Sequence, residues 1–241
     1  MCLGRTHALM AGAAYAAACE FIWHPSLPYL ATGTAIAAGA GVLPDLDTVG
    51  SCVARSFGWA SELLAVIVRK VSGGHREYTH TGVGDVICAL IAVAAIALEP
   101  FHFHVHAGPV YRELSYGRLL LGAYLALLFS AAMKALRLFH DTGRELLAVA
   151  AAVAMAWSGW DAHGIAWAIL LGTAVHAAGD GLTKHGVRYF APFSQREYHL
   201  LPVRLRLSTG HFTERAVVAP LLLVALGLLS WHAVTQAGIT I

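Results

Sequence analysis

Ala216-Val-Val-Ala-Pro-Leu-Leu-Leu-Val-Ala-Leu-Gly-Leu-Leu-Ser-Trp-His-Ala-Val234 runs for 19 residues without an Asp, Glu, Lys or Arg. A bilayer core is ~30 Å thick and takes ~20 residues of helix to cross, so this stretch predicts a membrane-spanning helix. Upstream, apolar segments recur at about Ala8–Ile22, Leu27–Leu43, Val83–Leu98, Leu119–Leu136, Leu146–Trp160 and Ile165–Ala178. Several are short for a full crossing, so about four to seven crossings are expected. No strand-like alternation is sustained. The predicted fold class is therefore all-α: a polytopic membrane helical bundle forming one domain over residues 1–241.

Composition agrees. Hydrophobic residues make up 58 % of the chain and charged residues 12 %, too few to cover a water-exposed surface. A net charge of +2 gives no reason to expect direct nucleic-acid binding. The four cysteines are scattered and form no CxxC pair, which argues against a disulfide framework or a cysteine zinc site. If all seven segments cross, fourteen Lys and Arg residues fall on one face, and only Arg112 and Arg118 on the other. The positive-inside rule makes the crowded face cytoplasmic.

Fourteen histidines are a heavy load for so apolar a chain. Five of them sit in four polar clusters, each at the same end of an apolar segment: Arg5-Thr6-His7, Leu43-Pro44-Asp45-Leu46-Asp47, Gly74-His75-Arg76-Glu77-Tyr78-Thr79-His80-Thr81, and His176 through Asp180 to His185. Even numbers of crossings bring all four to one membrane face. His176 and Asp180, spaced i, i+4, share a helix face. Imidazole and carboxylate together suit Zn²⁺, Mn²⁺ or Fe²⁺. Asp45 and Asp47 flank a leucine, so an extended turn points both carboxylates one way, able to bridge two metals. Ionisable groups at membrane depth are costly, which marks them as functional candidates. Each cluster also has a plainer reading: His7 as an interface residue, Asp45 and Asp47 as turn residues, His176 and Asp180 as a structural hydrogen bond, Arg76 as one more cytoplasmic charge.

Other features are blander. His102, His104 and His106 alternate on the opposite face with only Glu99 and Glu113 as acidic companions. Trp157, Trp160, Trp167 and Trp231 read as interface anchors. Asp161 and His163 read as a turn. No GxSxG, P-loop or GxGxxG stands in a convincing context.

Thr6-His7 with Gly12, Leu43-Pro44-Asp45-Leu46-Asp47, His75-Arg76-x-x-Thr79-His80-Thr81 and His176-x-x-x-Asp180-x-x-Thr183-x-His185-Gly186 together resemble the YdjM-like family of inner-membrane-associated metal-dependent hydrolases, described as LexA-binding. Thr209-Gly210-x-x-x-Glu214 is a weaker piece of the same resemblance, which spans about residues 5–215. That family is grouped with the zinc-dependent phospholipase C and single-strand nuclease superfamily. The resemblance implies one to three divalent ions, Zn²⁺ first and Mn²⁺ or Fe²⁺ as alternatives. It implies as ligands His7, Asp45, Asp47, His75, His80, His176, Asp180 and His185, with Glu214 a further candidate, and Asp180 or Asp45 as the bridging carboxylate. Two positions depart from the family pattern: Lys184, where proline is common, and His211, where a small polar residue is common.

The expected function is a membrane-associated, metal-dependent phosphoesterase acting on a phospholipid or lipid-linked phosphate. Arg76 is expected to contact phosphate, Asp47 to act as general base and Asp180 to serve the catalytic metals. The alternative is a non-catalytic membrane protein whose metal staples helix ends while its basic loops recruit a cytoplasmic partner.

Overall fold

The chain forms an up-and-down helical bundle in a computed structural model that describes residues 4–107, 110–158 and 162–236. Each of the seven apolar segments becomes a helix: α1 (Gly4–Ala18), α2 (Leu27–Ala40), α4 (Gly82–Ala97), α5 (Tyr116–Leu136), α6 (Asp141–Trp157), α7 (Ala162–Gly181) and α8 (Ala219–Gln236). An eighth, α3 (Trp59–Val71), lies in the first long loop. Three stretches are long and apolar enough to cross a membrane, Leu27–Asp47, Tyr116–Leu136 and Glu214–Gln236, while α4 is a shorter apolar helix. Trp160 and Asp161, and the side chains of His106 and His163, lie outside the described residues.

Local chemistry sets the turns. A π turn over Cys19–Trp23 closes α1, His24 adopts a left-handed φ of 48°, and Pro28 opens α2 with its fixed φ. Thr81 caps α4 by accepting the Gly84 N–H at 3.2 Å, and Ser115 caps α5 by accepting the Arg118 N–H at 3.2 Å.

Small residues let the helices close on one another. The core is dominated by alanine, with Ala8, Ala37, Ala40, Ala92, Ala131 and Ala168 fully buried. A methyl group on Gly39 of α2 would stand 2.2 Å from the Leu128 carbonyl oxygen of α5, and one on Gly172 of α7 would stand 2.5 Å from that of Ala37. Helix α2 is thus held between α5 and α7 at backbone contact, the packing that small residues permit in lipid. Helix α8 packs on α1 and leaves Leu221, Val224, Leu228 and Trp231 exposed, as expected of a surface solvated by acyl chains.

Two elements differ from the sequence expectation. Residues His102–Ala107 and Val110–Ser115 pair as an antiparallel hairpin, β1 and β2, between α4 and α5. The His-Phe-His-Val-His alternation that read as a histidine row is a strand of only six residues, too short to stand out without its partner. Helix α3 was absent because Ser61, Glu62, Arg69 and Lys70 interrupt its apolar run. It is strongly amphipathic and leaves Trp59, Leu63, Val66 and Ile67 exposed.

Helix alternation gathers the start of α1, the end of α2, the start of α4 and the end of α7 at one end of the bundle. The β1–β2 hairpin lies at the other.

Candidate metal centre

His7, in the second turn of α1, is held against α7 and is 0 % exposed. The end of α2 runs through Gly41 into a 3₁₀ turn, Leu43–Asp47, whose five residues are all buried. A second short 3₁₀ turn, Tyr78–His80, precedes α4 and buries His80. The last two turns of α7 bury His176 and Asp180, as their i, i+4 spacing requires. Four separate pieces of chain thereby meet.

The geometry is specific about which atoms point inward. His176 Nδ1 lies 2.8 Å from the Gly41 carbonyl, so it carries the proton and donates, leaving Nε2 bare and 4.0 Å from Asp45 Oδ1. His80 turns Nδ1 toward Asp47 Oδ2 at 3.4 Å and Nε2 toward Asp45 Oδ1 at 3.7 Å and Asp180 Oδ2 at 3.9 Å. His7 Nε2 lies 3.4 Å from Asp180 Oδ1, and its ring stacks on His176 with centroids 3.9 Å apart. His7 Nε2, Asp45 Oδ1, His80 Nε2, His176 Nε2 and Asp180 Oδ1 are all buried without a hydrogen-bond partner.

Unpartnered polar atoms in an interior are expensive and rare, each costing ~1–3 kcal/mol. The three Nε2 atoms each lie 3.4–4.0 Å from an Asp45 or Asp180 oxygen, and together they form a donor set that suits a cation. Two ligand groups can be separated, His7/His176/Asp180 and Asp45/His75/His80, which fits two ions. Asp45 stands between them, within 4.0 Å of a histidine from each.

Asp47 has a different environment from Asp45. The expected extended turn is a 3₁₀ turn with ~120° between successive side chains, so the two carboxylates diverge and embrace His80 from its two ring nitrogens. Asp47 accepts from His75 Nδ1 at 2.7 Å, Thr48 Oγ1 at 3.0 Å, the Arg76 N–H at 3.0 Å and Thr79 Oγ1 at 2.5 Å. Arg76 makes this possible with a left-handed φ of 63°, unusual for a residue other than glycine, and its Nη2 donates to Asp180 Oδ2 at 2.7 Å. Burial alone would lower the His80 pKa, but the flanking Asp45 and Asp47 carboxylates raise it to about 9.

A polar cleft of about 230 Å³ reaches Asp180 and His80 and is lined also by Arg76, His185, Arg188 and Glu197. His185 is exposed on this cleft, outside both ligand groups. Glu214 is 1 % exposed, and its Oε2 accepts the Gly210 N–H at 2.7 Å; it too lies outside both groups.

Sequence reasoning missed several partners. Thr48 and Thr79 carry only one signal, their place beside Asp47 and His80. Arg188 and Glu197 carried no signal that separated them from other loop charges. Asp85, buried beside Thr173 and Tyr189, is the sole acidic residue in the Val83–Leu98 segment, a signal that was available.

The sequence profile of the YdjM inner membrane protein family matches residues 1–239. No curated protein and no solved structure matches the chain.

Proposed function

We propose that this chain, which belongs to the YdjM inner membrane protein family, is a metal-dependent phosphoesterase acting on a lipid or lipid-linked phosphate at the cytoplasmic face of that membrane. The observation that carries the reading is the convergence of five buried, unpartnered ligand atoms beside a polar cleft. Zn²⁺ best suits a mixed imidazole and carboxylate set, and Mn²⁺ or Fe²⁺ can take it. Bound there, two such ions supply Lewis acidity and an activated water for attack on phosphorus.

The protein's own groups divide the remaining work. His7, His176 and Asp180 would hold one ion, and Asp45, His75 and His80 the other. Asp47, its oxygens already engaged by four donors, orients His75 and His80 in place of the base role expected from sequence. Arg76 has Nη2 tied to Asp180, and its side chain lines the cleft, where the guanidinium can meet a phosphate oxygen. His185, exposed on the cleft, is placed to give a proton to the departing oxygen.

A structural staple would use the same ligands, but a closed site needs no solvent route to them, and here the cleft opens on His80 and Asp180. Elemental analysis of detergent-purified protein tests the reading together with turnover of phosphodiester, phosphomonoester and phospholipid substrates. Wild type should carry one to two equivalents of metal and hydrolyse at least one ester class, and Asp180→Ala should lose both. A metal-free wild type would overturn both readings. Bound metal without Asp180-dependent turnover of any ester would leave the staple.

A further inference from the structure

An apolar groove of about 340 Å³ lies beside the polar cleft, and none of its lining residues is charged. Its walls are the first turns of α4, through Gly82, Val86 and Ile87, and the segment Tyr189–Phe193. The two depressions share a wall. Gly186, Val187 and Arg188 line the cleft, and the next residues, Tyr189, Phe190 and Ala191, line the groove. On the other side, His80 lines the cleft and Gly82, two residues on, lines the groove. The wall is pinned where it divides them: the Gly82 N–H donates to the Tyr189 carbonyl at 2.9 Å, and the Arg188 guanidinium pairs with Glu77. The Tyr189 ring closes directly over Gly82, where a methyl group would stand 3.3 Å from it.

We infer that this groove is the acyl-chain subsite of the metal centre, so that the substrate is an acylated or alkylated phosphoester whose chain enters sideways from the bilayer. The inference rests on the phosphoesterase reading and adds how that site selects its substrate. Three observations favour a lipid chain as the occupant. The groove continues onto the exposed apolar face of α4, where Leu90 and Ile91 would already lie among acyl chains. Phe190 and Phe193, 52 % and 88 % exposed, extend its other wall in the same apolar character. Charge is confined to the cleft side, with Arg76 and Arg188 for a phosphate and nothing in the groove for a polar ligand. A molecule with an anionic head and an apolar tail matches both halves.

The test uses the full chain in detergent and in bilayers. Each buried methylene strengthens binding about fourfold, so with about half of the seven added methylenes buried in the groove, p-nitrophenyl alkyl phosphates should show kcat/KM rising on the order of 10²-fold from methyl to octyl. Val86→Trp, which fills the groove and leaves the cleft intact, should abolish that rise while keeping metal content and the rate on the methyl ester. Separately, an alkyl phosphate with a diazirine in its tail should label Gly82–Ile87 and Tyr189–Phe193 at least tenfold above α8, unlike the matching alkyl alcohol, and Val86→Trp should remove the excess. Chain-length dependence that survives Val86→Trp, or labelling spread evenly over the lipid-facing helices, would overturn the inference. Groove labelling that falls as protein concentration rises would assign the groove to a second copy of the chain and overturn it too. Phosphate-dependent labelling without turnover of any ester would leave the subsite standing and sink the phosphoesterase reading instead.

Discussion

At the scale of the residue, the centre depends on which nitrogen of each imidazole is committed elsewhere. Gly41 takes His176 Nδ1 and Asp47 faces His80 Nδ1, so Nε2 is presented to the centre in both cases. The same arrangement has a consequence in pH. A ligand imidazole must be neutral, whereas Asp45 and Asp47 hold the His80 pKa at about 9, so the free ligand set is protonated there at pH 7. Metal uptake should therefore release about one proton from this residue, and affinity should climb as pH rises toward 9. Zinc titration calorimetry at pH 7 in PIPES and in TES checks this, because a released proton adds each buffer's ionisation heat. Identical heats in the two buffers would refute it. The residue types at this centre were legible in the sequence, since histidine and aspartate at the ends of apolar segments stand out by cost alone. The separate situations of Asp45 and Asp47 were not, because two carboxylates with one residue between them point together in an extended backbone and apart in the 3₁₀ turn that Leu43–Asp47 adopts.

At the scale of the element, the site inherits its precision from helices in backbone contact. Asp45 and Asp47 hang from the end of α2, and His176 and Asp180 from the end of α7; these helices meet where Gly172 faces Ala37. Gly39 plays the corresponding part between α2 and α5. Gly39→Val should push α2 off α5, because the obstructing atom is a backbone carbonyl that has no rotamer to change. Thermal unfolding in detergent should fall by several degrees, and metal content should fall with it although no ligand is altered. Retained metal at wild-type stability would show that the close approach is dispensable. The seven apolar helices were readable from hydropathy because each carries its own apolar run. The β1–β2 hairpin and α3 were not: a six-residue strand is defined by its pairing, and α3 mixes charges into its apolar face.

At the scale of the molecule, the helix directions set the orientation of the whole. The loops 48–81 and 182–213, with most of the lysines and arginines, lie at the end that holds the candidate metal centre, and the hairpin with Arg112 lies at the other. The positive-inside rule then predicts that single cysteines at Lys184 and at His104, each in a background without native cysteine, differ in access from outside. A membrane-impermeant maleimide applied to intact cells or spheroplasts should label the His104 position and spare Lys184. Labelling of Lys184 would place the centre on the opposite side.

By itself the sequence determined that this is a membrane-embedded helical protein of the YdjM family and which residue types gather at one of its faces. Apolar length, charge asymmetry and the order of the His and Asp clusters are properties of the chain read in one dimension. Only the tertiary structure decided that His7, His80 and His176 each bring an unpartnered Nε2 within 3.4–4.0 Å of an Asp45 or Asp180 oxygen, that Asp47 accepts from His75, Thr48, Arg76 and Thr79, and that an apolar groove shares a wall with their cleft. Those relations join residues up to about 170 positions apart, and packing alone sets such distances.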